Sequence, residues 1–240
     1  GEDFKTIPAT QAEHKAKPPE RTAFALPPKN NGNRRVFAYL HRSRGIAAEI
    51  VNHCIKYDLL YEDAQHHNAV FVGKDENNNA RYAFLRGTLT DSHFRQEATG
   101  SDKSYGFFLR GSGKTLFVCE AAIDALSVAT LRKFGGLDWK KDNYLALGGV
   151  TASERKLPVA LERTLNNFSF KRVVLCFDND AAGQTAARRI FTMLRQQFPE
   201  NLEVRTCVPE VKDFNDQLCV KLQNGKNSPS RGTRESNLSR

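Results

Sequence analysis

The sequence predicts an α/β fold built around a parallel sheet, and the signal is clearest in the second half of the chain. Four apolar runs there have the composition of buried strands, at residues 115–120, 144–148, 173–178 and 202–208. Helix-like segments follow the first three runs, at residues 121–134, 153–167 and 181–198. Strands that alternate with helices form right-handed β-α-β units, in which successive strands are parallel. We therefore expect one parallel sheet with helices on both faces.

The run at residues 173–178 leads into two carboxylates, Asp178 and Asp180, and a helix-like segment follows at once. Residues two apart on a strand share a face, so both side chains can point beyond the carboxyl end, where open α/β sheets bind ligands. Paired hard oxygen ligands suit Mg²⁺ or Mn²⁺. The alternative is a solvated turn in which Asp180 caps the helix, because Asp is a favoured N-cap.

Acidic residues and glycines follow the other strands as well. Those that follow the first, second and last strands are Glu120, Asp124, Gly148, Gly149, Asp213 and Asp216, and Lys212 directly precedes Asp213. Asp124 lies one helical turn after Glu120, and Ser153 is suited to cap the helix after the glycine pair. Because the carboxyl ends of parallel strands meet at one edge of a sheet, this recurrence predicts one shared acidic site.

Four short motifs occur in a fixed order: Glu-Ala-Ala-Ile-Asp at 120–124, Ala-Leu-Gly-Gly at 146–149, Asp-Asn-Asp-Ala-Ala-Gly at 178–183 and Lys-Asp-Phe-Asn-Asp at 212–216. Together they resemble a Toprim domain, which occurs in bacterial primases, type IA and type II topoisomerases, OLD-type nucleases and RecR-type repair proteins.

The Toprim resemblance implies a role for each acidic position. Glu120 would be the acid/base or metal-linked glutamate, and Asp178 and Asp180 would bind the metal. Asp213 and Asp216 match the acidic segment that follows the last strand of primases, with Asp213 as a further metal ligand. The chain departs from the family in having Ala121 where glycine often follows the glutamate.

The first half of the chain resembles the segment that opens the polymerase core of bacterial replicative primases. A Tyr-Leu…Arg-Gly turn at residues 39–45 precedes a helix, and paired strands follow at residues 68–75 and 81–87. This combination is most similar to Toprim proteins of plasmids and integrative elements, whose N-terminal domain has no settled function. We expect a small α+β domain at residues 34–111 and a Toprim domain at residues 112–220.

The chain is basic, with a formal net charge of +9 over 240 residues. No Asp or Glu lies between residues 20 and 49, where six Lys and Arg residues are interleaved with aromatic side chains. A basic stripe is typical of proteins that bind a phosphate backbone, and arginine also suits triphosphates. The predicted phosphate-binding or nucleic-acid-binding residues are Arg42, Arg44, Arg86 and Lys103. The alternative is that these residues belong to a solvated linker, a basic helix face and a hairpin surface.

The two ends of the chain have the composition of unfolded segments. Residues 1–33 contain five prolines and are predicted to be a flexible linker, and residues 221–240 are predicted to be a disordered basic tail. Because the chain begins with Gly1 rather than Met, we expect it to be a piece of a longer protein.

Five cysteines without Cys-x-x-Cys spacing predict reduced, mainly buried residues of a cytoplasmic protein. They are Cys54, Cys119, Cys176, Cys207 and Cys219. No apolar run approaches the ~20 residues that span a bilayer, so we expect no membrane partner.

Residues 111–115, Gly-Ser-Gly-Lys-Thr, match the end of a nucleotide-binding loop. A predicted strand follows them instead of the helix that such a loop requires, so we expect a tight turn.

These observations predict Mg²⁺- or Mn²⁺-dependent nucleotidyl or phosphoryl transfer on nucleic acid, with primase-like activity for a mobile element in first place. The expected partners are DNA or RNA, nucleotides, and helicase or relaxase components. Two alternatives stay open. An OLD-like nuclease needs the same acidic residues, whereas a non-catalytic DNA-binding accessory module needs none of them. A topoisomerase is disfavoured because no domain is evident that would present a transesterifying tyrosine.

Overall fold

The structure is a computed structural model that describes residues 23–89, 93–150, 156–198 and 202–227. Its first part is a four-stranded antiparallel sheet in the order β1-β2-β3-β4. The strands are β1 Leu60–Glu62, β2 Ala69–Lys74, β3 Ala80–Arg86 and β4 Arg95–Glu97. Helix α1 (Arg34–Ala38), a single π-helical turn (Tyr39–Ser43) and helix α2 (Ala48–Lys56) precede them. The predicted helix and the predicted pair of strands are therefore confirmed.

The second part is a five-stranded sheet in the order β5-β7-β6-β8-β9. The strands are β5 Phe108–Leu109, β6 Thr115–Cys119, β7 Asp142–Ala146, β8 Arg172–Cys176 and β9 Glu203–Thr206. Strands β6 to β9 pair in parallel, and the short β5 adds an antiparallel edge to β7. The helices are α3 Ala122–Phe134, α4 Val159–Asn167, α5 Ala181–Gln197 and α6 Phe214–Asn227. The predicted α/β class with a parallel sheet is confirmed.

Alternate residues of each central strand point to opposite faces of the sheet, and both faces are buried. On one face Leu116, Val118 and Leu175 pack in a core with residues of α4 and α5. On the other face Phe117 and Cys119 belong to a core that also contains residues of α1, α2, α3 and α6. The strands are therefore continuous apolar runs, as expected for a sheet covered on both sides.

The segment before α1 is ordered where the structure describes it, which corrects the predicted linker. Phe24 and Leu26 pack on Tyr61 and its neighbours in the small sheet, and the hydroxyl of Tyr61 donates to the carbonyl of Pro27 at 2.7 Å. Residues 23–33 therefore belong to the small domain, because their apolar side chains cover one face of its sheet. Residues 1–22 of the predicted linker lie outside the described residues.

Two further boundaries differ from the predictions. Helix α6 continues to Asn227, seven residues into the predicted disordered tail; residues 228–240 lie outside the described residues. Helix α4 begins at Val159 after Pro158, whereas the sequence predicted a start near Ser153, which lies outside the described residues. Proline is poorly tolerated inside a helix, and this explains why α4 begins immediately after it.

The turn at residues 111–115 enters β6 directly, as predicted. The amide of Gly113 donates to the carbonyl of Lys141 at 2.9 Å, and a Cβ at Gly111 would lie 2.0 Å from the carbonyl oxygen of Asp142. The two glycines therefore allow the turn to pack closely against the backbone of residues 141 and 142.

Cys207 is exposed, contrary to the expectation that it is buried in a strand, because β9 ends at Thr206. Among the described helices, none has the length and apolarity needed to cross a membrane.

Candidate active site

Two carboxylates that are far apart in the sequence meet at the carboxyl edge of the parallel sheet. Glu120 follows β6 directly and Asp178 lies two residues after β8, and the two strands are neighbours with Cys119 opposite Cys176. The backbone amide of Asp178 donates to Oε1 of Glu120 at 3.2 Å. The two strand ends that carry these acids are therefore neighbours, as expected from the sequence, and a metal ion shared by their carboxylates stays a prediction.

An acidic cleft of about 220 Å³ opens beside these two residues. Its polar lining includes Asp124, from the first turn of α3, and the backbone of the glycine pair. The lining residues are Tyr82, Phe84, Arg95, Phe107, Glu120, Ala121, Ala122, Asp124, Ala146, Gly148, Gly149 and Asp178. The cleft thus takes residues from both sheets, with the acids on one side and the aromatic and basic residues of the small domain on the other.

Three carboxyl groups of this cleft are difficult to ionise together. Burial and the charge of Asp178 raise the pKa of Glu120 to about 7. Burial and the charge of Asp213 raise the pKa of Asp124 to about 8 and that of Asp178 to about 6. Removing a carboxylate from water and placing like charges nearby both disfavour the charged form. A cation bound in the cleft would favour the charged forms of these carboxyl groups.

The glycine pair fits tightly against the first strand end. The amides of Gly148 and Gly149 both donate to the carbonyl oxygen of Glu120, at 3.0 and 3.1 Å. Gly148 has φ of +75°, and a Cβ there would lie 2.4 Å from the hydroxyl oxygen of Tyr82. A side chain at Gly148 would therefore be strained and would collide with the wall of the cleft.

Asp180 caps helix α5, as the alternative interpretation of its sequence position predicted. Its Oδ1 accepts a hydrogen bond from the amide of Gly183 at 2.8 Å. The charge of Asp180 nevertheless contributes to the raised pKa values of Glu120 and Asp178. Asp180 therefore caps the helix and still lies close to the acidic cleft. Gly183 allows this close approach, because a Cβ there would lie 2.9 Å from Oε1 of Glu120.

The segment after β9 borders the same acids. Asp213 starts α6, with its Oδ1 accepting from the amide of Asp216 at 2.7 Å, and its charge raises the pKa of Asp124 and Asp178. The carbonyl of Lys212 accepts from the amide of Asn179 at 2.8 Å, and its ammonium group acts in the opposite direction on the pKa of Asp178. Asp216 is exposed and contributes least.

The donor set suits a hard divalent cation. Within the described residues, no three His, Cys, Asp or Glu side chains converge into a ready-made metal cage. Magnesium does not require such a cage, since it is usually bound by one or two carboxylates together with waters and substrate phosphates. Glu120 and Asp178, with Asp180 and Asp213 close by, provide oxygen ligands of that kind beside an open cleft.

Family comparisons agree with this geometry. Residues 117–218 match the model of a family described as Toprim-like. Residues 117–218 are a Toprim-like domain. Residues 38–114 match a family described as a protein of unknown function (DUF3991). The Toprim-like domain therefore contains the parallel sheet and the acids at its edge, and the small domain has no function attached to its family. No curated protein matches the chain.

Solved structures with a similar fold are catalytic cores of primases. The primase fragment of the bacteriophage T7 primase-helicase protein is 24% identical, with a TM-score of 0.53, and the match covers 77% of this chain and 69% of that one. The E. coli primase catalytic core is 15% identical, with a TM-score of 0.51 and coverage of 79% and 69%.

A DnaG primase catalytic domain bound to single-stranded DNA is 13% identical, with a TM-score of 0.53 and coverage of 82% and 74%. The chain spans only 61% of a primase domain from Pseudomonas aeruginosa. At these identities the likeness establishes the fold, in which a Toprim-like domain follows a small α+β domain.

Two of the predicted phosphate-binding arginines contact the same tyrosine of the small domain rather than the acids of the Toprim-like domain. Nε of Arg44 donates to the hydroxyl of Tyr39 at 3.0 Å, and Nε of Arg86 approaches the same hydroxyl at 3.5 Å. Arg44 also donates to Oδ1 of Asn215 at 3.3 Å. The structure therefore gives Arg44 a role in joining the small domain to α6.

Arg42 and Lys103 have different surroundings. Arg42 is exposed and lines neither the acidic cleft nor the cleft beside the glycine pair. Lys103 lies 3.1 Å from Oε1 of Glu97 and lines a cleft next to Gly148 and Gly149. The structure thus brings Lys103 close to the glycine pair but does not bring Arg42 to the site.

Three residues of the site were missed from the sequence. Asn215 connects α3, α6 and the small domain: its amide donates to Oδ1 of Asp124 at 3.3 Å, and its Nδ2 donates to the carbonyl of Arg44 at 2.8 Å. Tyr82 and Arg95 line the acidic cleft from β3 and β4. Alternation along β3 was a usable signal for Tyr82, but the polar segment around Arg95 has no strand-like pattern.

Proposed function

We propose that the chain catalyses divalent-metal-dependent nucleotidyl transfer on nucleic acid, with primer synthesis on a DNA template as the leading reaction. One observation carries this proposal: Glu120 and Asp178 are joined by a 3.2 Å hydrogen bond at adjacent strand ends, beside a cleft whose acids repel one another. A structural acid cluster with no function would be costly, and strongly shifted carboxyl groups in a cleft are typical of functional sites.

In this proposal Asp178 holds Mg²⁺ or Mn²⁺, with Asp180 and Asp213 as further acids next to it, and Glu120 either completes the metal shell or moves a proton. The bound metal would neutralise charge on the transferring phosphoryl group. Glu120, whose pKa of about 7 lies near neutrality, is suited to accept the proton of an attacking hydroxyl group.

The small domain would hold phosphates opposite the acids. Arg95 lines the acidic cleft directly, and Lys103 lies beside the glycine pair in the neighbouring cleft. Arg86 lies opposite Arg95 in the register of β3 and β4, so the two cations occupy the same end of these neighbouring strands. This arrangement supports binding of a nucleotide or template phosphate between a basic wall and a metal site.

The proposal extends to the setting of the reaction. The DnaG relative is described as bound to single-stranded DNA, and the phage relative as part of a primase-helicase protein. We propose that this chain acts in the cytoplasm on DNA or RNA with nucleotides as substrates, in replication or transfer of a mobile element. Helicase or relaxase components are the proposed protein partners.

Primer synthesis by the Asp178→Asn and Glu120→Gln variants tests the reaction. Labelled nucleotides, Mg²⁺ and a single-stranded DNA template are incubated with each variant, and the products are separated by length. We expect each variant to lose about 10²-fold or more in rate, the size of effect seen when a general base or a charge-stabilising group is removed. Glu162→Gln, on the exposed face of α4, is the matched control and should retain full activity. Full activity in both site variants would reject the proposal.

The same reaction without nucleotides separates the alternatives. With the label placed on the 5′ end of the template instead, shortening of that strand in Mg²⁺ alone would indicate hydrolysis, as in an OLD-like nuclease. If calorimetry detects no Mg²⁺ or Mn²⁺ binding with or without nucleotide, the chain is a binding module instead of an enzyme.

A further inference from the structure

A second and larger cleft, of about 580 Å³, lies away from the acidic cleft and shares none of its lining residues. We name it the rear cleft and define it by its four walls: the end of α2, the turn between β2 and β3, strand β5 with the residues next to it, and the second half of α4. Helix α4 returns the chain from the carboxyl to the amino edge of the parallel sheet, so its second half points away from Glu120 and Asp178.

The carboxylates that line the rear cleft are already neutralised. Asp58 pairs with Lys29 at 2.5 Å, and Asp75 pairs with Arg81 at 2.9 Å. Glu76, in the turn between β2 and β3, accepts two hydrogen bonds of 2.7 Å from Nη2 of Arg163 on α4. These pairs leave no uncompensated negative charge among the described residues of the cleft.

Three other cations of the rear cleft have no such partner. Within the described part of the chain, Lys56, Lys74 and Arg110 form no salt bridge with a carboxylate. Nζ of Lys74 donates instead to the carbonyl of Tyr57 at 2.8 Å and to Oδ1 of Asn78 at 3.1 Å. Because the acids are compensated and these cations are not, the cleft complements a negatively charged ligand.

Aromatic rings alternate with these cations. The guanidinium carbon of Arg110 lies 4.7 Å from the ring centre of Phe168, and Nζ of Lys56 lies 5.6 Å from that of Tyr57. Tyr57 is 52% exposed, so its ring is accessible to a ligand in the cleft. Phosphate-binding cations beside exposed aromatic rings are the combination that binds single-stranded nucleic acid, because bases stack while the backbone is neutralised.

We propose that the rear cleft binds a single strand of DNA or RNA, independently of the metal site. An extended strand fits better than one nucleotide, because the unpaired cations are distributed over α2, β2 and β5 rather than gathered around one phosphate group. Stacking and phosphate contacts do not distinguish ribose from deoxyribose, so both sugars are accepted.

The test is fluorescence anisotropy with labelled oligo-dT and oligo-U of about 12 nucleotides, within the site size of single-strand binders. The full chain is titrated in EDTA, so that binding does not depend on the proposed metal site. We expect Lys56→Ala/Arg110→Ala to weaken binding at least about tenfold at low salt. Two lost phosphate contacts should also reduce the slope of log K against log salt by about 1.4.

Three comparisons make the test decisive. Lys141→Ala/Arg188→Ala removes the same charge from exposed positions outside the three clefts and should change binding less than about twofold. Tyr57→Ala should weaken binding about fivefold or more, whereas Tyr57→Phe, which keeps the ring, should restore it. The titrations are also repeated in Mg²⁺, and an equal effect of Lys56→Ala/Arg110→Ala in EDTA and in Mg²⁺ is expected, so failure of the proposed catalysis and failure of this site give different results.

Two results would overturn the proposal. The first is that Lys56→Ala/Arg110→Ala and the control pair bind the oligonucleotides with the same affinity and the same salt slope. The attraction would then come from the overall charge of the protein. The other is a mononucleotide that binds as tightly as the oligonucleotides and displaces them, since the cleft would then be a nucleotide pocket.

Discussion

Gly148 shows how one residue depends on both the backbone and its neighbours. Its positive φ alone would strain any other residue, and the hydroxyl of Tyr82 occupies the space that a side chain would need. Gly136 has nearly the same φ, +77° against +75°, but a Cβ added there would have no atom within 4 Å. A substitution at Gly136 therefore meets backbone strain alone, whereas a substitution at Gly148 meets backbone strain and a steric collision.

We expect Gly148→Ala to destabilise the protein more than Gly136→Ala. Both variants lose about 1–2 kcal/mol to the left-handed backbone, and Gly148→Ala loses a further 1–3 kcal/mol or so to overpacking against Tyr82. Urea unfolding measures both. Adding Tyr82→Phe, which removes the atom 2.4 Å away, should recover part of the loss in Gly148→Ala and none in Gly136→Ala. Equal losses in the two glycine variants would contradict this explanation.

At the scale of elements, one charged side chain of α2 adds three polar contacts with the Toprim-like domain to the apolar packing between them. Glu49 on α2 accepts from Lys133 on α3 at 2.6 Å and from the indole of Trp139 at 3.2 Å, and it pairs with Lys140 at 3.2 Å. These contacts lower the pKa of Glu49 to about 2, with the hydrogen bond from Lys133 as the largest cause. The pairs are exposed, so each is worth little by itself.

Glu49→Gln should lower the free energy of unfolding by about 0.5–1 kcal/mol at neutral pH, the size expected for exposed ion pairs. A carboxyl group with a lowered pKa in the folded state stabilises the protein above its unfolded pKa, and this stabilisation is lost as pH falls through the folded pKa. The difference between wild type and variant should therefore be constant above pH 4.5 and shrink as pH falls towards 2. Urea midpoints at a series of pH values measure it, and a difference that grows on acidification would contradict the assignment.

For the whole molecule, the two sheets share one hydrophobic core. Phe71 of the small sheet packs edge-on against Phe107 at a centroid distance of 5.6 Å, and the same core contains Phe117 and Tyr144 of the parallel sheet. Asn215 and Arg44 add hydrogen bonds across the same boundary. A boundary at residue 111 therefore leaves β5, which belongs to the second sheet, on the side of the small domain, and it does not divide the shared core.

Because the core is shared, we expect both parts to unfold in one transition. Phe71→Ala should lower the free energy of unfolding by about 3–5 kcal/mol, the usual cost of a large cavity. The fluorescence of Trp139, the only tryptophan, reports from the far side of the boundary and should shift to the same extent as far-UV circular dichroism. Leu89→Ala, at an exposed position, is the control. A fluorescence midpoint that stays unchanged while a second transition appears would indicate two independent domains.

Sequence alone predicted the parallel sheet, the paired strands of the small domain and the acids at the strand ends. These features are encoded locally, because apolar runs, helical periodicity and turn residues follow from neighbouring positions. The same local signals misplaced the ordered segment at residues 23–33, the start of α4 and the end of α6. Composition cannot show that Phe24 and Leu26 find an apolar sheet to cover.

The tertiary structure decided which of the predicted residues share a site. In the fold, Glu120 accepts a hydrogen bond from the amide of Asp178, and Asp180 caps helix α5. Arg44 donates a hydrogen bond to Asn215 rather than facing the acids. It also created the rear cleft from four elements that no motif connects. The physical reason is that strand order and helix packing bring together residues far apart in the chain, and their mutual electrostatics exist only once that packing is formed.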